Sequence, residues 1–214
     1  MSWSKFDPVD CLEVAEAIRQ LPNKSCAADP VPTSVLKQLA DDIAPFLTAL
    51  FNRSMTEGFV PTAFKTAFIT PRLKKPDMNA TDVRSFRPIS NLSVISKLLE
   101  RLVARRLLRY LTVNNLLPRF QSAYRPHHSV ETAVVKVLAD ILVAIDRGDL
   151  AGLALVDLSA AFDTVDHDVL LQRLLISYGR YGIDGMAWMC FRSYLSGRFH
   201  CVRVRTGTSP VILM

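Results

Sequence analysis

Apolar positions along the chain recur at two spacings. In "SVETAVVKVLADILVAID" they fall at 130, 134, 137, 138, 141, 142 and 145. That is the three-to-four-residue rhythm of one helix face, and Ser129 is placed to cap it. "KLLERLVARRLLRYL" keeps the same rhythm at 98, 99, 102, 103, 107 and 111, with Lys97, Arg101, Arg105 and Arg109 on its other face. "LAGLALVDL" breaks the pattern. It is apolar at nearly every position, as in a strand buried on both faces of a sheet. Its apolar run ends at Asp157, and Phe162, Asp163, Asp166 and Asp168 follow closely.

The remaining elements follow from turn and cap signals. Asp7-Pro8 opens a helix through "VDCLEVAEAIRQL" that stops near Pro22. "NKSCAADPVP" is a loop. "TSVLKQLADDIAPFLTALFNRSMTEG" reads as two helices parted near Pro45, with Gly58 as the stop. "FKTAFITPRL" has strand composition, "KKPDMNATDVRS" is a polar turn region, and "FRPIS" is a short extended piece. "DRGD" ends the helix after Ser129. Two more helices follow, "HDVLLQRLLISYG" and "DGMAWMCFRSYLSG", the second capped by Asp184 and stopped by Gly197. "FHCVRVRTGTSPVILM" reads as a hairpin whose second strand is cut off at Met214.

Composition adds limits. The chain has 214 residues, half of them apolar, which suits a sizeable core and argues against disorder. Its formal net charge is +6. Nine basic residues lie between Arg84 and Arg125 against one acid, Glu100, so this segment alone carries +8 and the remainder is slightly acidic. Such a run suits a polyanionic partner without proving one. Cys11, Cys26, Cys190 and Cys201 show neither a CxxC pair nor zinc spacing and read as reduced thiols. That points to an intracellular setting, nuclear or cytoplasmic. The N-terminus lacks the apolar core of a signal peptide. No apolar run approaches the roughly 20 residues that span a bilayer, so no membrane role is expected.

Asp157 is the residue with the clearest chemistry. An unpaired carboxylate is costly inside a buried strand but not at the end of one that faces a cleft. There it can hold a divalent ion, since Mg²⁺ takes one or two carboxylates together with substrate phosphates. The alternative, a strand-terminal cap or ion-pair partner, stays open on spacing alone. Asp163, Asp166 and Asp168 read as turn and cap residues. The chain has no Gly-rich phosphate loop, so any phosphate binding falls to side chains such as Arg87, Lys74 and Lys75, or else these are solvated charges. His127, His128 and His167 lack metal-ligand spacing and read as surface residues.

Several blocks taken in order carry a family likeness. "SFRPISNLSVISKLLERLV", "LPRFQSAYRPHHSVETAV" and "ALVDLSAAFDTVDHDVLLQRL" closely resemble the reverse transcriptase domain of LINE-type (non-LTR) retrotransposons. "AWMCFRSYLSGRFHCVRV" continues the likeness, and "NKSCAADPVPTSVLKQL" resembles the region upstream of the fingers. The resemblance covers roughly residues 14–212.

The resemblance implies an α+β fold: right-hand polymerase fingers and a partial palm, rich in helix, with a small antiparallel sheet. The implied division is a helical extension over 1–62, fingers over 63–148 and partial palm over 149–214. It implies that Asp157 is the catalytic metal ligand for Mg²⁺, with the Leu158 carbonyl beside the second ion. It makes Phe162 the sugar gate, a ring under the deoxyribose that excludes a 2′-hydroxyl. Arg87 and, in the same role, Lys74 or Lys75 would grip the triphosphate of a dNTP. Arg125 matches an arginine at the fingers–palm junction and, with Arg101, Arg105 and Arg109, would meet nucleic acid. The partners implied are an RNA template, a DNA primer and dNTP. The family continues with a Pro-Gln-Gly block and an Ala-Asp-Asp box, neither of which occurs before Met214. "SYGRYGID" contains extra residues, and "CAADP" has alanine where the family often has glycine or serine. The implied function is RNA-directed DNA synthesis in the complete protein. The alternative is a catalytically inactive remnant that binds nucleic acid, or a decayed copy that does not fold stably.

Overall fold

The computed structural model describes residues 2–23, 29, 31–158, 161–162, 164–176, 182–204 and 207–213. It divides into two units, Met1–Tyr110 with His167–Met214, and Leu111–Asp166.

In the first unit, helix α1 (Cys11–Arg19) begins later than Asp7-Pro8 implied. Its cap is Asp10, whose carboxylate accepts from the Glu13 N–H at 2.7 Å. The earlier backbone is already committed. The Asp7 and Pro8 carbonyls accept from Arg106, and the Val9 backbone pairs both ways with the Asn52 side chain. Helices α2 (Thr33–Gln38) and α3 (Ala40–Glu57) part at Leu39, not at Pro45, which lies inside α3. The proline withholds a hydrogen bond from the Asp41 carbonyl, but Asp41 is exposed and water can solvate that oxygen. Gly58 ends α3 at φ +63°, and a Cβ there would lie 2.7 Å from the Met189 Cβ, so conformation and close packing both demand glycine.

Helix α4 (Val94–Val113) presents Val94, Leu98, Leu99 and Leu102 to the core, against α1, α3 and helix α7 (Gly185–Leu195). Phe51, Ile18, Leu98 and Leu102 are fully buried there. The Asp29 carboxylate accepts from the Val94 N–H at 2.7 Å and so caps α4 from a distant loop. Helix α6 (His167–Ile176) supplies the Leu171 carbonyl that accepts from the Trp188 indole at 3.1 Å. Asp184 does hold the N-cap position of α7, yet its side chain makes no capping bond and accepts from Ser2 instead. Near the N-terminus, Trp3 stacks on Tyr110 at 5.2 Å and meets Phe6 edge-on at 5.0 Å. Cys190 and Tyr194 line an apolar cavity of about 460 Å³ with Leu99, Val103, Leu174 and Phe191. Burial pushes the Cys190 thiol up to about 11; burial, then the Glu100 carboxylate it donates to, pushes Tyr194 up to about 12.

The sheet consists of β1 (Thr66–Leu73), β2 (Phe86–Asn91), β3 (Phe199–Val204), β4 (Gly207–Thr208) and β5 (Ile212–Leu213). Its order is β2-β1-β3-β4, with β5 also on β3. The β1–β2, β3–β4 and β3–β5 pairs are antiparallel, but β1 and β3 run parallel. The sheet is therefore mixed, which corrects the antiparallel expectation. Parallel neighbours need a crossover, and the chain between β2 and β3 is long enough to make one through several helices. The Phe199 N–H donates to the Lys65 carbonyl at 3.2 Å, so β3 enters beside the start of β1 and follows its direction. Lys65 itself is 6 % exposed. Its ammonium lies 3.3 Å from the Ser196 carbonyl, just past the C-terminus of α7, where positive charge is favoured. Burial, and secondarily Arg198, lowers its pKa.

In the second unit, helix α5 (Val130–Asp146) bears out the Ser129 cap: Ser129 and Thr132 form a reciprocal capping box. The turn after it passes through Gly148 at φ +81°. No α5 residue is buried, and its apolar stripe, Val134, Leu138, Leu142 and Ile145, is exposed. Residues 150–158 form no strand, and Leu155 is 88 % exposed. This corrects the buried-strand expectation. A strand apolar on both faces is stabilised by neighbours on both edges, and none of the five described strands pairs with it.

Candidate nucleotide and nucleic-acid site

The β1–β2 ladder decides where the basic side chains of the first unit point. Arg72 pairs directly with Arg87, so the two project from the same sheet face. The Lys74 N–H donates to the Ser85 carbonyl at 2.9 Å, which extends the ladder and puts Lys74 on that face too. Lys75 begins the exposed turn. No strand of the sheet contains an acid, and among the described residues neither arginine is in an ion pair. Like charges placed opposite each other across a ladder are destabilising, and a bound anion would relieve them. Arg72 was absent from the sequence expectation. The alternation in "PRLKK", two residues from Arg72 to Lys74, was the signal that could have found it.

The basic face of α4 is only partly free. Arg101 and Arg109 are exposed, and Arg105 donates to the Gln20 side chain at 3.0 Å. Arg106, one residue off this face, does different work. It grips the Glu13 carboxylate with both terminal nitrogens, at 3.0 and 2.8 Å, and donates to the Asp7 and Pro8 carbonyls at 2.6 and 3.0 Å. It anchors the N-terminal segment and is not available to a ligand.

In the second unit, Arg125 donates to the Pro118 and Gln121 carbonyls, both at 3.2 Å, and so closes its own loop. Asp157, Leu158 and Phe162 are exposed, Phe162 by 78 %. The Phe162 carbonyl accepts from the Val165 N–H at 3.5 Å in the turn before α6. Asp163 lies outside the described residues. Asp168 sits in the first turn of α6, where a carboxylate suits the helix N-terminus. Among the described residues no three His, Cys, Asp or Glu side chains gather as a metal site. The donors at Asp157 and Leu158 are hard oxygens, open to solvent, and fit Mg²⁺ in part. They supply one carboxylate, and the rest of the shell would come from water and phosphate. Among the described residues, no helix is long and apolar enough to cross a membrane.

A family model for reverse transcriptase (RNA-dependent DNA polymerase) matches residues 73–208, and the chain belongs to that family. Its relatives place it in the LINE-type, non-LTR branch. It is 35% identical over 205 residues to the probable RNA-directed DNA polymerase from transposon BS of Drosophila melanogaster, covering 94% of this chain and 22% of that protein. It is 34% identical over 168 residues to the RNA-directed DNA polymerase from mobile element jockey of Drosophila funebris, covering 78% and 18%. With the probable RNA-directed DNA polymerase from transposon X-element of Drosophila melanogaster it shares 30% over 209 residues, covering 98% and 22%. The chain spans about a fifth of the length of these curated relatives.

Proposed function

We propose that this chain holds the incoming nucleotide and the template–primer of an RNA-directed DNA polymerase. The observation that carries the reading is the unneutralised pairing of Arg72 with Arg87 beside Lys74. Arg87 and Arg72 offer planar forks to phosphate oxygens, and Lys74 and Lys75 add point charges. Asp157, with the Leu158 carbonyl, would hold Mg²⁺, which when bound supplies positive charge to the reacting phosphate. Phe162 would lie under the sugar and exclude a ribonucleotide by its bulk. Arg101, Arg105, Arg109 and Arg125 would meet the phosphates of the template–primer duplex.

A second reading is favoured by the lone described carboxylate at the metal position: a chain that binds nucleic acid without polymerising. Primer extension on an RNA template separates the two. Incorporation of dNTP that Asp157→Asn abolishes, with an unchanged melting temperature, supports the polymerase. Binding without incorporation supports the second reading. Incorporation that survives Asp157→Asn makes Asp157 a structural residue and overturns its assignment.

A further inference from the structure

The cavity between α4, α6 and α7 is bordered by a carboxylate that has no cation. Its walls are mainly apolar, built from Leu99, Val103 and Leu107 on α4, Leu174 on α6 and Phe191 on α7. Three polar side chains reach it, Ser96, Glu100 and Tyr194, along with the Cys190 thiol. Both hydroxyls are already committed. Ser96 donates to the Phe64 carbonyl at 2.9 Å, and Tyr194 donates to one oxygen of Glu100. That leaves the carboxylate itself. Among the described residues Glu100 belongs to no ion pair. Arg198, the cation beside Tyr194, is engaged elsewhere. Its guanidinium lies over the Tyr194 ring, 4.6 Å from the centroid, and donates to the Tyr194 carbonyl at 3.1 Å.

Such a cavity is selective about what fills it. At about 460 Å³ it lies within the range of about 300–1,000 Å³ that small-molecule pockets occupy. The backs of its walls are fixed in the core. Leu98 and Leu102 on α4 and Ala187 on α7 are fully buried, so the helices cannot close the gap without disturbing that packing. Apolar walls hold water poorly, and an apolar body gains by entering. A half-buried carboxylate with one oxygen unanswered favours a cation that carries N–H donors. An anion would be repelled, and a neutral body would leave the charge unpaired. Glu100 is also the one acid between Arg84 and Arg125, so α4 offers a cation no other carboxylate. The rings of Phe191 and Tyr194 border the same space, and an ammonium gains from an aromatic face.

We propose that this cavity binds a small apolar amine in its protonated form. The hydrocarbon body lies against Leu99, Val103, Leu174 and Phe191, and the ammonium donates to the free oxygen of Glu100. Glu100 selects for positive charge, and Tyr194, by holding the other oxygen, positions the carboxylate. The site shares no residue with the nucleotide and nucleic-acid positions, so the inference goes beyond the polymerase reading and does not depend on it.

The test titrates the full chain by calorimetry with phenethylamine, and with phenethyl alcohol as an uncharged probe of the same body. The amine should bind about tenfold more tightly than the alcohol, the margin of a hydrogen bond to a charged group over a neutral one. Glu100→Gln keeps an acceptor for Tyr194 and should abolish that margin while the alcohol binds as before. Val103→Phe fills the cavity and should abolish binding of both probes. Ala104→Phe, at the exposed rim, closes the entrance without touching the core and should do the same. Failure of the amine to bind the unaltered chain overturns the proposal, as does equal affinity for the two probes. So does a margin that survives Glu100→Gln, which would put the ammonium on another acid. Binding that persists in both cavity variants would place the probes elsewhere and overturns it too. Far-UV circular dichroism melts check that each variant is folded.

Discussion

Replacing Arg106 with alanine should unfasten the N-terminal segment from α4. The guanidinium is mostly buried, its side chain 12 % exposed, and its partner Glu13 is 29 % exposed. Removal leaves the Glu13 carboxylate and the Asp7 and Pro8 carbonyls without their donor. Breaking a buried pair on one side costs about 3–5 kcal/mol, and the partial exposure of Glu13 puts the expectation near the lower end, about 3 kcal/mol. For a unit of this size each kcal/mol moves the midpoint by about 2–4 °C, so the melting temperature should fall by about 6–12 °C. The exposed Arg53–Glu57 pair, at 76 % and 50 %, is the internal control, and Arg53→Ala should leave the urea midpoint nearly unchanged. Urea melts of Arg106→Ala, Glu13→Gln and the double variant complete a cycle. The double variant should be less destabilised than the sum of the singles, because no charge is left buried alone. An Arg106→Ala cost no larger than that of Arg53→Ala would refute the reasoning and return Arg106 to the basic surface.

Alkaline pH should weaken the fold in a defined window. The Cys190 thiol is held near 11 against an ordinary 9.0, and Tyr194 near 12 against 10.0. The unfolded chain releases these protons first, so stability is full below pH 9 and falls as pH rises to 11 and then 12. Lys65, whose pKa is lowered, acts in the opposite sense up to 10.5. The Cys190 contribution at pH 10 is about 1.4 kcal/mol. A urea midpoint that holds steady or climbs between pH 8 and pH 10 would contradict this, and Cys190→Ala should lessen the fall. Phe162→Val should admit ribonucleotides to primer extension wherever the unaltered protein incorporates dNTP. Undiminished preference for dNTP in that assay would remove Phe162 from the sugar position.

The elements with strong local periodicity were legible in the sequence. The α4 and α5 patterns and the Gly58 stop arise from side-chain spacing and backbone conformation, which a short window contains. What depends on distant partners was not. Asp10 replaces Asp7 as a cap because Arg106, nearly a hundred residues away, holds the Asp7 carbonyl. Pro45 is tolerated because the Asp41 carbonyl it leaves unpaired belongs to an exposed residue that water can reach. "LAGLALVDL" has the composition of a buried strand, but composition cannot supply the neighbours a strand needs. Among the candidate residues, Arg87, Lys74 and Lys75 could be named from the sequence, whereas Arg72 emerged only from the ladder register.

The parallel seam between β1 and β3 also has a consequence for how the chain is made. Thr66 meets Phe199, so one side of β1 has no partner until the ribosome has added more than 130 further residues. At ordinary rates of synthesis that is on the order of ten seconds. During this interval the β1–β2 hairpin can form while the opposite edge of β1 stays open, a template for pairing with another nascent chain. A contact of such long sequence separation also slows the final closure. The acid-free strands lend this edge a guard of their own: Arg72, Lys74 and Arg87 repel a second copy of the same hairpin until β3 arrives to seal it.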